Sequence, residues 1–257
     1  MTYLANRMTR AKKSLGQNFL MHARIAERIV LAAQISLEDV VFEIGPGTGM
    51  LTKELLKRAK KVIALEADNE LYDTLQRDFA DDIALKKLEL HHGDIRTFDP
   101  MDLPKGYVVV ANIPYYITGE IIRLFLETKN QPQNMTLLVQ KEVAERVARS
   151  KKESILSLSM KAYGTPKYLF TVPRGAFRPA PKVDSAVLSI SHISRAHFKN
   201  ITQEQKFFEL LHAGFAHKRK FVRKNLLDAG LPVGEIPEKA RAEDVPLATW
   251  LLLSSLA

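Results

Sequence analysis

Apolar positions recur along this chain in two rhythms. Short strand-like segments occupy Val40 to Ile44, which is largely β-branched, and Val62 to Leu65, Leu88 to His91, Tyr107 to Ala111 and Met135 to Gln140. Each is too short for a stable helix and is bounded by Gly, Pro or polar residues, so each predicts a buried strand. Between them the apolar residues take helical spacing: Leu51, Leu55 and Leu56, then Asn69 to Phe79, Gly119 to Glu127 and Lys141 to Arg149. Alternating strand and helix predicts an α/β fold built on a doubly wound, largely parallel sheet. After Leu169 the pattern changes. Arg178-Pro179-Ala180-Pro181 is a stiff extended segment and Ser185 to Ile190 reads as one more strand, which suits a closing antiparallel hairpin. Beyond about Ser194 the pattern is helical, with Phe207, Leu210, Leu211 and Phe215 on one face. The expected division is therefore an α/β domain over 1–194 and a small helical domain over 195–257.

Composition narrows the function. Of 257 residues, 46% are hydrophobic and 26% charged, the balance of a packed globular chain. The longest apolar stretches, Val108 to Ala111 and Trp250 to Leu253, fall far short of the ~20 residues that cross a bilayer, so no membrane partner is expected. The basic start lacks an apolar region of ~7–15 residues, which predicts a cytoplasmic protein. With no cysteine there is no disulfide and no thiolate metal site, and no metal is expected. Thirty-eight Lys and Arg against 29 Asp and Glu leave a charge of +9, which favours a polyanionic partner. Charge alone describes a soluble surface equally well.

The first chemical signal is Glu43-Ile44-Gly45-Pro46-Gly47-Thr48-Gly49. Glycines after a buried strand let the backbone turn sharply and approach a ligand. A dinucleotide site wants GxGxxG, because a pyrophosphate rests on the helix end. Here the spacing is GxGxG, Pro46 lies inside the turn and an acid precedes it, which suits a cationic ligand without phosphate. Glu66 ends the second strand about 20 residues on, where such folds place a carboxylate for ribose hydroxyls. Asp94 ends the third strand and can accept from an adenine amino group, although alone it reads as a turn cap.

Asn112-Ile113-Pro114-Tyr115 follows the fourth strand and so faces the same crevice beyond the strand ends. The Asn112 amide oxygen and a backbone carbonyl can accept both protons of an exocyclic amine. That draws its lone pair out of ring conjugation. Tyr115 offers a face for an unstacked base, worth ~1–3 kcal/mol.

With these motifs in order, the chain resembles the ribosomal RNA adenine dimethyltransferases of the small-subunit dimethyladenosine transferase type. The resemblance rests on Gly16-Gln17-Asn18-Phe19-Leu20, EIGPGTGMLT from Glu43, Glu66, Gly93-Asp94, NIPYYIT from Asn112, FRPAPKVDSAV from Phe177 and the basic FAHKRKFVRKNL from Phe215. It implies a Rossmann-like S-adenosylmethionine-dependent methyltransferase domain carrying a small C-terminal helical domain. By similarity Asn18, Leu20, Gly45, Gly47, Glu66, Asp94 and Asn112 bind S-adenosyl-L-methionine. Asn112, Pro114, Tyr115 and Phe177 form the transfer site, with Tyr115 and Phe177 sandwiching the target adenine. Residue types alone would make Phe177 a core aromatic and Asn18 a helix cap, and would assign Leu20 no chemistry. The implied substrate is a pair of adjacent adenines in a small-subunit rRNA hairpin loop of the immature small ribosomal subunit. Lys218, Arg219, Lys220, Arg223 and Lys224 then become an RNA-docking cluster. With no heptad pattern, a monomer is expected.

Two departures stand out. Arg149 to Ser154 lacks the Tyr-Gly pair common in that loop, and Tyr163-Gly164 occurs in another register; Ile113 replaces a frequent Leu, where only the carbonyl is implicated. Three rivals remain: a dehydrogenase, disfavoured by the glycine spacing; a large-subunit rRNA adenine methyltransferase; and a non-catalytic ribosome-assembly or transcription factor on the same fold.

Overall fold

The computed structural model describes residues 11, 12 and 15–256. The basic opening stretch therefore lies largely outside the described residues. Packing divides the chain into two units, one of residues 1–141 with 168–189 and one of 142–167 with 190–257.

In the first unit the apolar runs form the expected strands. They are β2 (Val40–Ile44), β3 (Lys61–Glu66), β4 (Leu88–His92), β5 (Val108–Asn112) and β6 (Asn134–Gln140), preceded by the two-residue β1 (Phe19–Leu20). With β7 (Thr165–Val172) and β9 (Ser185–Ser191) the larger sheet has seven strands in the order β4-β3-β2-β5-β6-β9-β7. Strands β2 to β6 pair in parallel. At the other margin the Lys141 amide donates to the Asp184 carbonyl at 3.0 Å, and the Ser191 hydroxyl reaches the Thr165 carbonyl at 3.5 Å. β9 therefore runs against both β6 and β7, as the expected hairpin requires. Pro166 is tolerated because β7 is the edge strand. β1 pairs antiparallel with β8 (Phe177–Arg178) in a separate two-stranded sheet.

On one face of the sheet, α1 (Ala23–Ala32) and α2 (Met50–Leu55) bury Ile29, Val30, Leu51 and Leu55 against Val41, Val62 and Val110. Elsewhere in the unit Phe42 stacks on Phe98 at 4.8 Å and lies 5.8 Å from Phe125 of α5 (Thr118–Glu127). The helix after β3 is observed as α3 (Asn69–Asp78), followed by a short α4 (Ala80–Ala84). No helix among the described residues is long and apolar enough to cross a membrane.

The second unit holds α6 (Lys141–Ala148), α7 (Ile155–Tyr163), α8 (Ile201–Phe215), α9 (Val222–Asp228) and α10 (Leu247–Leu256). Its core collects Phe207, Leu210, Leu211, Trp250 and Leu253. This division differs from the expected boundary at 194, because 142–167 joins the C-terminal helices. Tyr163 explains why: its ring meets Phe198 at 5.6 Å and Phe208 at 6.0 Å, and its hydroxyl donates to the buried Glu204 carboxylate at 2.5 Å. Arg195 completes that pair with Glu204 at 2.9 Å.

Candidate active site

Strand register brings the predicted residues together. Ile44 is level with Leu65, and the Gly45 amide donates to the Leu65 carbonyl at 2.9 Å. Glu66 is level with His92, and its carbonyl accepts from Gly93 at 2.9 Å. β5 flanks β2 on the other side, so the strand order reverses between the carboxyl ends of β2 and β5, the position at which open α/β sheets bind ligands. Gly45, Gly47, Glu66, Asp94 and Asn112 line one cleft there, and Asn18, Leu20, Pro114 and Tyr115 line it too.

Gly45 and Gly47 have φ of +63° and +61°, the left-handed region that side chains other than glycine's strain to adopt. A Cβ at Gly45 would meet nothing within 4 Å among the described residues, so the space in front of it is open to a ligand. A Cβ at Gly47 would lie 3.1 Å from the Phe19 ring.

Glu66 is 4% exposed and doubly held. Its Oε2 accepts from the Gly47 amide and its Oε1 from the Asp68 amide, each at 2.9 Å. Burial raises its pKa, and the two amides pull against that rise. Each carboxylate oxygen retains a second lone pair, the requirement for receiving a pair of ribose hydroxyls.

Beside it Glu43 is 1% exposed, and its Oε2 has no hydrogen-bond partner among the described residues. Burial pushes its pKa up to about 8, with Thr52 opposing and the Glu66 charge adding to the rise. Such a carboxyl stays protonated in the fold while the unfolded chain releases its proton above 4.5. Stability is therefore lost as pH rises from there to about 8. Glu43→Gln, which cannot ionise, is expected to flatten the pH dependence of the melting temperature over this window and to melt above the unsubstituted protein at its alkaline end. Thermal melts across the window check this; equal slopes for both proteins would contradict it.

Asp94 is held in the fork of one neighbour. Its Oδ1 accepts from the Arg96 amide at 2.9 Å and from Arg96 Nε at 3.1 Å, and its Oδ2 from Nη2 at 2.5 Å. Those Arg96 hydrogen bonds lower its pKa. The turn-capping geometry is thus present, with the carboxylate also at the cleft.

Asn112 Nδ2 donates to the Asn18 carbonyl at 3.1 Å, which commits the donor side of the amide and leaves Oδ1 for a second partner. Asn18 is not a helix cap; its own amide donates to the Gly16 carbonyl at 3.0 Å. Tyr115 is half-buried, and its hydroxyl is hydrogen-bonded to that of the buried Ser185, a partner that composition and spacing did not reveal. The expected second stacking face is not in the cleft. Phe177 is 1% exposed because it pairs with Leu20 across the β1–β8 ladder and its side chain belongs to the hydrophobic core.

In the second unit, Lys218, Arg219 and Lys220 form an exposed turn after α8. Arg223 is tied to the Ile236 carbonyl at 3.0 Å, and Lys224 pairs with Asp228 at 3.4 Å. Asn225 donates to the carbonyls of Gly214 at 2.7 Å and His217 at 3.3 Å, which fixes the start of that turn.

Solved structures share the fold over nearly the whole chain. A dimethyladenosine transferase from Plasmodium falciparum aligns with a TM-score of 0.77 and 27% identity over 91% of this chain and 95% of its own. The 23S rRNA methyltransferase ErmE aligns at 0.75 and 26% identity over 93% and 98%. A reversed strand order whose crevice holds an open glycine turn and a doubly anchored carboxylate, with no glycine turn of dinucleotide spacing, is the design of a Rossmann-like S-adenosylmethionine-dependent methyltransferase. Within that class the chain belongs to the ribosomal RNA adenine dimethylase family, which its residues 8–254 match. It is similar to the ribosomal RNA small subunit methyltransferase A of Dehalococcoides mccartyi, with 39% identity over 95% of this chain and 87% of the relative. Similarity to the protein of the same name from Fusobacterium nucleatum is also 39%, over 94% and 96%.

Proposed function

We propose that this chain dimethylates the exocyclic amines of two adjacent adenines in a small-subunit rRNA hairpin loop, acting as a cytoplasmic monomer on the immature small ribosomal subunit. The observation that carries the transfer chemistry is Asn112, oriented by the Asn18 carbonyl beside half-buried Tyr115 in the cleft that Glu66 also lines. Relatives named for the small subunit, at 39% identity against 26% for the 23S enzyme, support the choice of target.

S-adenosylmethionine, when bound, supplies an electrophilic methyl group on its sulfonium sulfur. The open space at Gly45 and the remaining lone pairs of Glu66 fit its nucleoside, which Asp94, Asn18 and Leu20 of the same cleft would help to hold. Asn112 Oδ1 and the Ile113 carbonyl accept the two protons of the target amine and turn its lone pair toward the methyl group. The Pro114 carbonyl accepts instead from the Ile117 amide at 3.3 Å, so its part is to fix the turn. Tyr115 is the stacking face, and Phe177 supports the Leu20 wall from the core. An exocyclic amine becomes acidic once alkylated, so its surplus proton leaves to water without a side-chain base.

Lys218, Arg219 and Lys220 are assigned to the RNA backbone; Arg223 and Lys224 support the turn. Reversing the three exposed charges is expected to weaken RNA binding and to lower the slope of log affinity against log salt by about 2 to 3, at roughly 0.7–0.9 for each phosphate no longer neutralised. Filter binding across a salt series reads the slope, and an unchanged value would contradict the assignment. The choice of target is tested by offering immature small subunits and naked large-subunit rRNA side by side. Faster methyl acceptance by the small subunit is expected, and preference for the large-subunit RNA would refute it.

A further inference from the structure

Asp68 lies two residues beyond Glu66, and its side chain is fully buried. Its carboxylate caps α3 by accepting from the Glu70 amide at 3.0 Å. A helix cap needs one acceptor and usually faces solvent, whereas this carboxylate also reaches far along the sequence. Oδ1 accepts from Lys12 Nζ at 2.8 Å and Oδ2 from Gln17 Nε2 at 3.0 Å. Gln17 is itself doubly used, because its Oε1 accepts from the Lys12 amide at 2.7 Å.

The wall segment 15–20 is thereby fastened at three points. Gln17 is held by Asp68, the next carbonyl (Asn18) receives the Asn112 amide at 3.1 Å, and Phe19 and Leu20 enter the ladder with β8. Meanwhile the Asp68 backbone amide holds Glu66 Oε1 at 2.9 Å. One residue therefore touches both the ribose carboxylate and the segment that orients the transfer amide.

We propose that Asp68 is a positioning residue that couples the two ends of the cofactor cleft, setting Glu66 through its backbone and Asn112 through Gln17 and Asn18 by its carboxylate. Lys12 supplies the neutralising charge that lets the carboxylate remain ionised while buried.

Asp68→Asn separates this role from helix capping. Asparagine caps as well as aspartate, so the Glu70 bond and the backbone bond to Glu66 persist. Its Nδ2, however, faces Gln17 Nε2, donor against donor. Turning the Gln17 amide to recover that bond removes its oxygen from the Lys12 amide. Gln17→Ala breaks the same link without touching the helix and keeps the test open should the first variant fail to fold.

The readout is the dissociation constant of S-adenosylhomocysteine by calorimetry, together with kcat at saturating S-adenosylmethionine. Both variants should bind about tenfold or more weakly, the loss expected of a hydrogen bond to a buried charge. Both should also lower kcat, with ligand-free melting temperatures close to that of the unsubstituted protein. In the double variant the second change should add little, since the two residues act through one link. Unchanged affinity in Asp68→Asn would overturn the proposal. So would a loss confined to Asp68→Asn with Gln17→Ala unaffected, because Asp68 would then act through its helix alone. Cofactor affinity is read without RNA, so the outcome is independent of which rRNA is the substrate.

Discussion

Asn112→Ala is expected to lower kcat for methyl transfer by about 10²–10³-fold, the loss typical of removing one preorganised group that acts on developing charge. Cofactor affinity should change far less. In the proposed mechanism the side chain carries one of two acceptors for the target amine, and without it the lone pair would stay conjugated with the ring. Its orientation depends on the 3.1 Å bond to the Asn18 carbonyl. Asn112→Asp therefore separates two contributions: it retains an acceptor, but its carboxylate faces the Asn18 carbonyl without a proton to donate. An intermediate rate is expected for Asp, with single-turnover measurements isolating the chemical step. A rate unchanged in Asn112→Ala would remove the amide from the mechanism.

Glu66→Gln is expected to weaken cofactor binding by at least about 10²-fold, since it loses charge-assisted bonds to the ribose and disturbs its own supports. In the unsubstituted protein both oxygens are occupied by backbone donors, Gly47 and Asp68. A glutamine offers one oxygen, so its amide nitrogen must oppose one of those donors, and either the Gly47 turn or the Asp68 amide loses its acceptor. The rise in the Glu66 pKa caused by burial adds a pH signature. Protonation turns one acceptor oxygen into a donor, so affinity should fall on acidification, beginning at a higher pH than for an unperturbed glutamate, and this fall should be absent in Glu66→Gln. Calorimetric titration with S-adenosylhomocysteine at several pH values reads both effects.

The sheet was legible because its central strands are covered on both faces. Val40 to Phe42 and Val108 to Ala111 show as apolar runs, and glycine or proline follows each strand within two residues of its end. Helix α1 escaped notice although Ile25, Ala26, Ile29 and Val30 carry its apolar face, because His22 at its start makes no side-chain cap. β7 was hidden by Pro166 and by an edge position that removes the continuous burial pattern. The placement of 142–167 with the C-terminal helices depends on Tyr163, whose bond to Glu204 spans 41 residues and is announced by no local pattern.

At the site, residue type and strand-end position located Gly45, Glu66, Asp94 and Asn112, because each lies at or just beyond the carboxyl end of a strand that opens on the same cleft. What remained hidden is what holds them: the Arg96 fork on Asp94, the Ser185 hydroxyl on Tyr115 and the Asp68 link to Gln17. Ser185 and Gln17 reach their partners across 70 and 51 residues, which no local spacing announces, whereas Arg96 is two residues from Asp94 and closes its fork within the turn. Phe177 shows the opposite failure. The resemblance placed its ring against the substrate, whereas its pairing with Leu20 places it in the core, where residue type alone would have put it.

The most direct test of adenine dimethylation at this cleft is transfer of labelled methyl from S-adenosylmethionine to immature small ribosomal subunits, followed by digestion and nucleoside analysis. The account predicts label in N6,N6-dimethyladenosine, lost in Asn112→Ala while cofactor binding persists. Label in a nucleoside other than N6-methylated adenosine, label that stops at the monomethyl stage, or no transfer by a protein that binds the cofactor, would contradict it.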